Sequence, residues 1–191
     1  MRWDKLFDDL ESQLERELTA EELDLGAEEE RLRLSRLTMR ERLDAAPGAV
    51  LALTLVDGTR LAARVVTVGR DWLSADVVDD STARRQAIIP IAAIASVVVP
   101  REIVAASLAV RQEPHPALTA RLGLAFVLRD LCRRRRAVGL SVSGATLHGT
   151  IDRVGRDHFD LAIHEPGSAR RESEVAEIRM VALAAVLTVL L

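Results

Sequence analysis

The 191 residues contain one cysteine, Cys132. No disulfide can form within the chain and no thiolate cage can hold a metal. Cysteine usage of this kind suits a reducing compartment, and a cytoplasmic location is expected. Tyrosine and asparagine are absent, and Lys5 is the single lysine. Because arginine supplies almost every positive charge, an arginine here is not by itself a sign of phosphate recognition. Aromatic residues make up only 3% of the chain, which leaves few rings for stacking on bases. No apolar run reaches the ~20 residues that cross a bilayer. The longest, Met180 to Leu191, is interrupted by Thr188 and reads as buried strand. Met1 opens an acidic stretch, so no signal peptide is expected. No nucleophile stands at a recognisable spacing from a base, and there is neither a glycine-rich phosphate loop nor a paired-carboxylate signature. The expectation is a protein without enzymatic activity, cofactor or metal.

What is present is enough apolar material for a core, 49% of the residues. Charge is unevenly spread. Residues 1–46 hold 8 basic and 14 acidic residues, and the remainder holds 18 basic and 15 acidic, with the positive excess entirely after residue 116. At the N-terminus, Trp3, Leu6, Phe7, Leu10, Leu14 and Leu18 recur at helical spacing among acids. Thr19 with Glu22 and Thr38 with Glu41 form capping boxes. The spacing predicts helices over 4–18, 20–36 and 39–46, the last ended by Pro47-Gly48.

Beyond Gly48 the apolar period changes from 3.6 to 2. Leu51, Leu53 and Leu55 alternate with smaller or polar residues, Asp57-Gly58 signals a tight turn, and Leu61, Ala63 and Val65 alternate again. After Gly69-Arg70-Asp71 come Leu73, Ala75 and Val77, then Ile88-Ile89-Pro90 and Ile94 to Val99. Pro100 to Pro116 reads as a linker. Ala117 to Cys132 reads as a helix, with Arg133 to Arg136 favoured at its C-terminus by the macrodipole. The pattern then repeats. Val138, Leu140 and Val142 answer Leu51, Leu53 and Leu55, and Phe159, Leu161 and Ile163 answer Leu73, Ala75 and Val77. Val154-Gly155-Arg156-Asp157 repeats Val68-Gly69-Arg70-Asp71 letter for letter. Leu183 to Val186 answers Ile91 to Ile94.

A helix, five short strands, Asp-Gly at the first turn and an Ile-Pro-Ile-x-x-Ile step before the last strand resemble an Sm-like barrel. Two such units behind an acidic helix resemble a group of uncharacterised actinobacterial proteins. The fold expected is mainly β with helices: two small five-stranded Sm-like (SH3-like) barrels, each preceded by a helix. The expected divisions are an acidic helical segment at 1–37, a first barrel with its helix at 38–100, a linker at 101–116 and a second barrel with its helix at 117–191. Sm-like proteins usually bind RNA as rings of single-barrel subunits. In a tandem pair the exposed strand edges are expected to cap one another, so ring assembly is not expected. The asparagine and the Arg-Gly step with which that family reads a base have no counterpart in Gly69 to Trp72, Gly155 to His158, Ile89-Pro90 or Met180-Val181.

The resemblance implies contact with RNA or a ribonucleoprotein. The candidate residues are Arg70 and Arg156 in the repeated turns, Arg170 and Arg171 in a loop, and Arg129 with Arg133, Arg134, Arg135 and Arg136. For the turns, structural chemistry is the plainer reading: glycine takes unusual backbone angles and aspartate satisfies nearby N–H groups. For Arg133 to Arg136 the plainer reading is a solvated helix end. The alternative function is a protein-interaction adaptor, or self-association, through Trp3, Phe7, Leu10 and Leu14. Trp72 takes the outward phase of its strand. It is read either as a partner contact or as covered by the N-terminal helix, with the second preferred. His148, His158 and His164 take the outward phase of the second unit beside Asp152 and Asp160. Solvated histidine is preferred there over a metal or small-molecule sensor.

Overall fold

The structure is a computed structural model that describes residues 13, 24–79, 85–109, 118–167 and 170–191. The chain divides into two compact units, Met1–Thr38 and Met39–Leu191. In the first, residues 24–36 form a helix, α1. Its surface carries Glu28–Arg31 and Glu30–Arg33 pairs at 3.2 Å and 2.7 Å. Exposed pairs of this spacing contribute only a few tenths of a kcal/mol each, roughly. The expected helix over 4–18, with Phe7, Leu10 and Leu14, and Trp3 before it, lies outside the described residues apart from Gln13.

The second unit is mainly β. Helix α2 (Met39–Asp44) precedes β1 (Val50–Leu55), β2 (Arg60–Val68), β3 (Trp72–Val78), β4 (Arg85–Pro90) and β5 (Ile94–Val98). Helices α3 (Arg101–Leu108) and α4 (Leu124–Arg133) follow, then β6 (Ala137–Val142), β7 (Ala145–Val154), β8 (His158–Ile163), β9 (Glu177–Ala182) and β10 (Val186–Leu190). Every strand pair is antiparallel. Side-chain alternation explains the burial. Leu51, Leu53 and Leu55 of β1 are buried while Val50 and Ala52 are exposed. Val138 and Leu140 of β6 and Phe159 and Leu161 of β8 repeat this pattern. Gly58 and Gly144 turn the first hairpin of each half at positive φ, 87° and 77°, a conformation open to glycine at little cost.

Instead of two closed sheets, the ten strands make one open sheet in the order β5-β1-β2-β3-β4-β10-β6-β7-β8-β9. Two hydrophobic cores lie along it, one around Leu51, Leu53, Leu73 and Ile89, the other around Leu128, Leu140, Phe159 and Leu161. The halves join edge to edge. Ile88 faces Val189, Ala87 faces Leu190, and Leu191 N–H donates to Gln86 O at 2.9 Å. The expected mutual capping of edges is therefore half right. It uses β4 of the first half and β10 of the second, and leaves β5 and β9 each with a single neighbour.

Two helical expectations are corrected. The linker contains α3, which starts after Pro100 with Glu102 in its first turn. The helix expected over 117–132 is a 3-10 turn, Leu118–Arg121, followed by α4. Leu122 and Gly123 separate them. Leu122 O accepts from Arg70 N–H at 3.0 Å and from Trp72 Nε1 at 2.9 Å, so contact with the β2–β3 turn sets the break.

Candidate functional site

The two Val-Gly-Arg-Asp segments close equivalent turns. Gly69 N–H donates to Trp72 O at 2.7 Å, and Gly155 N–H to His158 O at 2.8 Å. Asp71 O accepts from Ile91 N–H at 3.0 Å, and Asp157 O from Leu183 N–H at 2.8 Å. Each turn thereby holds the 3-10 turn before the last strand of its half, Ile91–Ala93 or Leu183–Ala185. An arginine from the leading helix reaches the glycine carbonyl in both halves: Arg40 Nε to Gly69 O at 2.8 Å, and Arg129 Nη2 to Gly155 O at 3.3 Å. The ring four positions into each segment's hairpin folds back over the glycine. A Cβ on Gly69 would fall on the Trp72 indole, and one on Gly155 would come within 2.7 Å of His158 Cε1. The ring packed on each turn thus accounts for the glycine in both segments. Arg40 was not among the candidates from sequence; an arginine in each leading helix was the available signal.

The side chains of the two turns have diverged. Asp71 Oδ1 accepts the Leu124 N–H at 2.7 Å and so caps α4, whose own N-cap residue, Gly123, has no side chain to do it. Trp72 Nε1 donates to Leu122 O at 2.9 Å. Trp72 was expected either to face a partner or to lie under the N-terminal helix. It is 7% exposed and packs in the second core with Leu124 and Leu128, so its ring is not available for stacking. Asp157 instead bonds His158 Nδ1 at 2.8 Å, and that bond holds its carboxyl below the usual range.

The candidate arginines fall into two groups. Arg129 bonds Gly155 O as described, and Arg170 makes a forked, half-buried pair with Asp152 at 3.0 Å and 2.6 Å. The Asp152 carboxylate raises the Arg170 pKa above its ordinary value. These two hold the fold. Arg70 is 3.3 Å from Asp71 and Arg171 is 3.7 Å from Glu174, both at exposed positions. Arg156 is exposed.

Arg133 to Arg136 are all exposed at the C-terminus of α4. Arg134 Nε lies 2.6 Å from Asp130 Oδ2, and Arg133 also pairs with Asp130. The bond from Arg134, and then that from Arg133, keep the Asp130 carboxyl below the usual range. Arg135 N–H donates to Cys132 O at 3.0 Å and Arg136 N–H to Leu131 O at 3.2 Å. These are the two bonds of a Schellman cap, which places residue 135 in the left-handed region. Arg135 has φ of 50° and is the one non-glycine with positive φ among the described residues. The Cys132 Sγ donates to Asp152 O at 3.3 Å.

The histidines were expected to be solvated. His158 is partly exposed, but His164 is 4% exposed. Its Nε2 lies 2.9 Å from Thr150 Oγ1 and its Nδ1 3.1 Å from Glu165 O. His148 Nδ1 lies 3.2 Å from His164 O, and the two rings meet edge to face at 5.4 Å. Asp152 is taken by Arg170, and Asp160 lies 3.5 Å from Arg153. Among the described residues no three His, Cys, Asp or Glu side chains gather where a metal could be held.

Two cavities occupy corresponding places in the halves. One, of about 370 Å³, lies between Arg60 to Ala62, Val77 to Asp79, Arg85 and Ala87, and is closed by Ser141, Thr188 and Leu190 of the other half. The second, of about 340 Å³, lies between Thr146 to His148, Ile163 to Glu165, Glu177 and Arg179. Among the described residues no helix is long and apolar enough to cross a membrane. No family profile, curated protein or solved structure matches the chain.

Proposed function

We propose that this chain is a non-catalytic binding module made of two Sm-like units, and that it contacts RNA or a ribonucleoprotein through the Arg133–Arg136 turn. One observation carries the reading. Arg135 stands in a left-handed conformation that glycine adopts more easily. A side chain other than glycine there costs about 1 kcal/mol, so an exposed cation stands at a position where stability alone favours glycine. Strain of this kind points towards function. Arg136 and Arg156 are further exposed cations, and Arg70 and Arg171 are lesser contributors because acids lie beside them. Such a site grips phosphates and reads no sequence.

Fluorescence anisotropy with a labelled single-stranded RNA tests it at about 50 mM and about 200 mM salt, where phosphate contacts differ most. Binding is expected at the lower salt and much less at the higher. Arg135→Gly with Arg136→Ala is expected to weaken binding and to lower the salt slope by about 2, roughly one per lost phosphate contact. Absence of binding at low salt refutes the reading.

A second reading is supported by α1, where Leu25 is 66% and Leu32 52% exposed. An amphipathic helix with uncovered leucines suits a groove in a protein partner. Deletion of residues 1–36 separates the two: loss of protein partners with RNA affinity unchanged favours the adaptor.

A further inference from the structure

Small-molecule sites are clefts of about 300–1,000 Å³, mostly apolar, with a few polar groups left to orient the ligand. The cleft of about 370 Å³ in the first half has that size, and it lies where the two repeats meet. Leu55, Leu61, Val77 and Leu190 give it apolar walls. Its polar groups divide into those already satisfied and those left over. Asp57 accepts the Thr59 N–H and hydroxyl, both at 2.9 Å. Arg85 pairs with Asp79. Arg60 is left over: it lines the cleft, is exposed, and forms no ion pair or side-chain hydrogen bond among the described residues.

Thr188 is the second group left over. Every other residue of β10 is aliphatic. Thr188 is 7% exposed and lines the cleft, and its hydroxyl has no hydrogen-bond partner among the described residues. A buried hydroxyl without a partner costs free energy, so packing alone favours valine at this place in the strand. Ser141, its cross-strand neighbour, lines the same wall. Strands β3 and β4 lie between β2 and β10, so Arg60 and the two hydroxyls stand at opposite ends of the cleft. The corresponding cleft of the second half is built differently. Its arginine, Arg179, pairs with Glu177, and its lining comes from its own half.

We infer that the cleft at the seam binds a small organic monoanion, a carboxylic acid whose aliphatic body ends in a hydroxyl group. The Arg60 guanidinium takes the carboxylate as a fork. Leu55, Leu61, Val77 and Leu190 cover the body, and Thr188 with Ser141 bonds the far hydroxyl. The charge count selects a monoanion. One unpaired cation balances one negative charge, whereas a phosphate monoester brings about −1.5 to −2 to a cleft that already holds Asp57 and Asp79. The opposing consideration is Asp57, whose charge lies in the same lining. Its oxygens accept the two Thr59 donors and it forms no ion pair with Arg60, so the guanidinium stays open to a ligand.

Calorimetric titration of the full chain with 6-hydroxyhexanoate, 8-hydroxyoctanoate and 10-hydroxydecanoate tests this, with octanoate as the acid that lacks the hydroxyl. Saturable binding of one equivalent per chain is expected, because the second cleft offers no unpaired arginine. Arg60→Ala, at an exposed position, is expected to weaken the best hydroxy acid about tenfold or more, the size of a hydrogen bond to a charged group. Thr188→Val keeps the side-chain shape and removes the hydroxyl. It is expected to weaken the hydroxy acid about three- to tenfold, to leave octanoate unchanged, and to melt no earlier than wild type. Arg60→Glu is expected to lose the acids and to bind 8-amino-octanol, in which an ammonium replaces the carboxylate. No saturable binding of any of the three hydroxy acids overturns the inference. So does an Arg60→Ala variant that binds as wild type does, or a Thr188→Val variant that weakens octanoate as much as the hydroxy acid. Should Thr188→Val fail to fold, Ser141→Ala replaces it under the same expectation: selective loss of the hydroxy acid supports the site, and equal affinity for both acids before and after the change overturns it.

Discussion

Replacing Asp71 by alanine should destabilise the second unit, whereas the same change at Asp157 should not, although both belong to identical tetrapeptides. The difference lies in what the carboxylates touch. Asp71 Oδ1 accepts the Leu124 N–H at 2.7 Å, and Leu124 is 6% exposed. Gly123 cannot supply a cap of its own. Loss of an N-cap side chain costs about 1 kcal/mol, and a buried N–H left without a partner costs about 1–3 kcal/mol. The Asp71 side chain is 48% exposed, so water can replace part of the bond, and about 1–2 kcal/mol is the reasonable total. For a unit of this size each kcal/mol lowers the melting temperature by about 2–4 °C. Asp71→Ala is therefore expected to melt roughly 2–8 °C early in calorimetry, with Asp71→Asn close to wild type because asparagine caps nearly as well. Among the described residues Asp157 bonds the neighbouring imidazole as its side-chain partner, and Asp157→Ala is expected to stay within about 0.5 kcal/mol of wild type. Equal losses at the two positions would refute the assignment of the α4 cap to Asp71.

Gly69→Ala should destabilise by about 1–3 kcal/mol, because the new methyl displaces the Trp72 ring from a packed site; Gly155→Ala should cost less, since His158 is partly exposed and can swing away. Urea unfolding followed by circular dichroism ranks the pair, and the reverse order would contradict the packing. Acid should weaken the fold in a defined window. The Asp57 carboxyl is lowered by the Thr59 N–H and hydroxyl, and that of Asp130 by Arg134 and Arg133. A carboxylate with a lowered folded-state pKa adds stability above its unfolded value, near 4, and that stability is lost as pH falls through the folded value. The urea midpoint is expected to stay level from about pH 7 to about pH 5 as far as these groups decide it, and to drop below about pH 4. Asp57→Ala should make the acid limb shallower, and an unchanged limb would count against the Thr59 bonds.

The strands were legible because their signal is local. Alternation at Leu51, Leu53 and Leu55 and a glycine able to reach φ of 87° after Asp57 define the first hairpin within ten residues or so of sequence. The repeated turns were legible for the same reason, and they share their backbone hydrogen bonds. What escaped was set from a distance. The break before α4 follows from Trp72 and Asp71, which lie far away in sequence. His164 takes the outward phase, yet Thr150 and the His148 ring cover it, so outward did not mean solvated. Sequence also cannot say which edge of a sheet will meet which, since strand edges present the same backbone groups whatever their side chains. In the arginine run, charge was legible, but the left-handed angle at Arg135 was not.

The position of β10 has a bearing on how the molecule is made. Its neighbours are β4 and β6, so the middle of the sheet is filled by a strand made well after the β4 edge it joins. At a synthesis rate of about 5–20 residues per second, Ile88 waits roughly 5–20 s for Val189 to emerge. Throughout that interval a nascent chain offers an unsatisfied apolar border, and chains translated side by side on one messenger are placed to exchange their β10 strands.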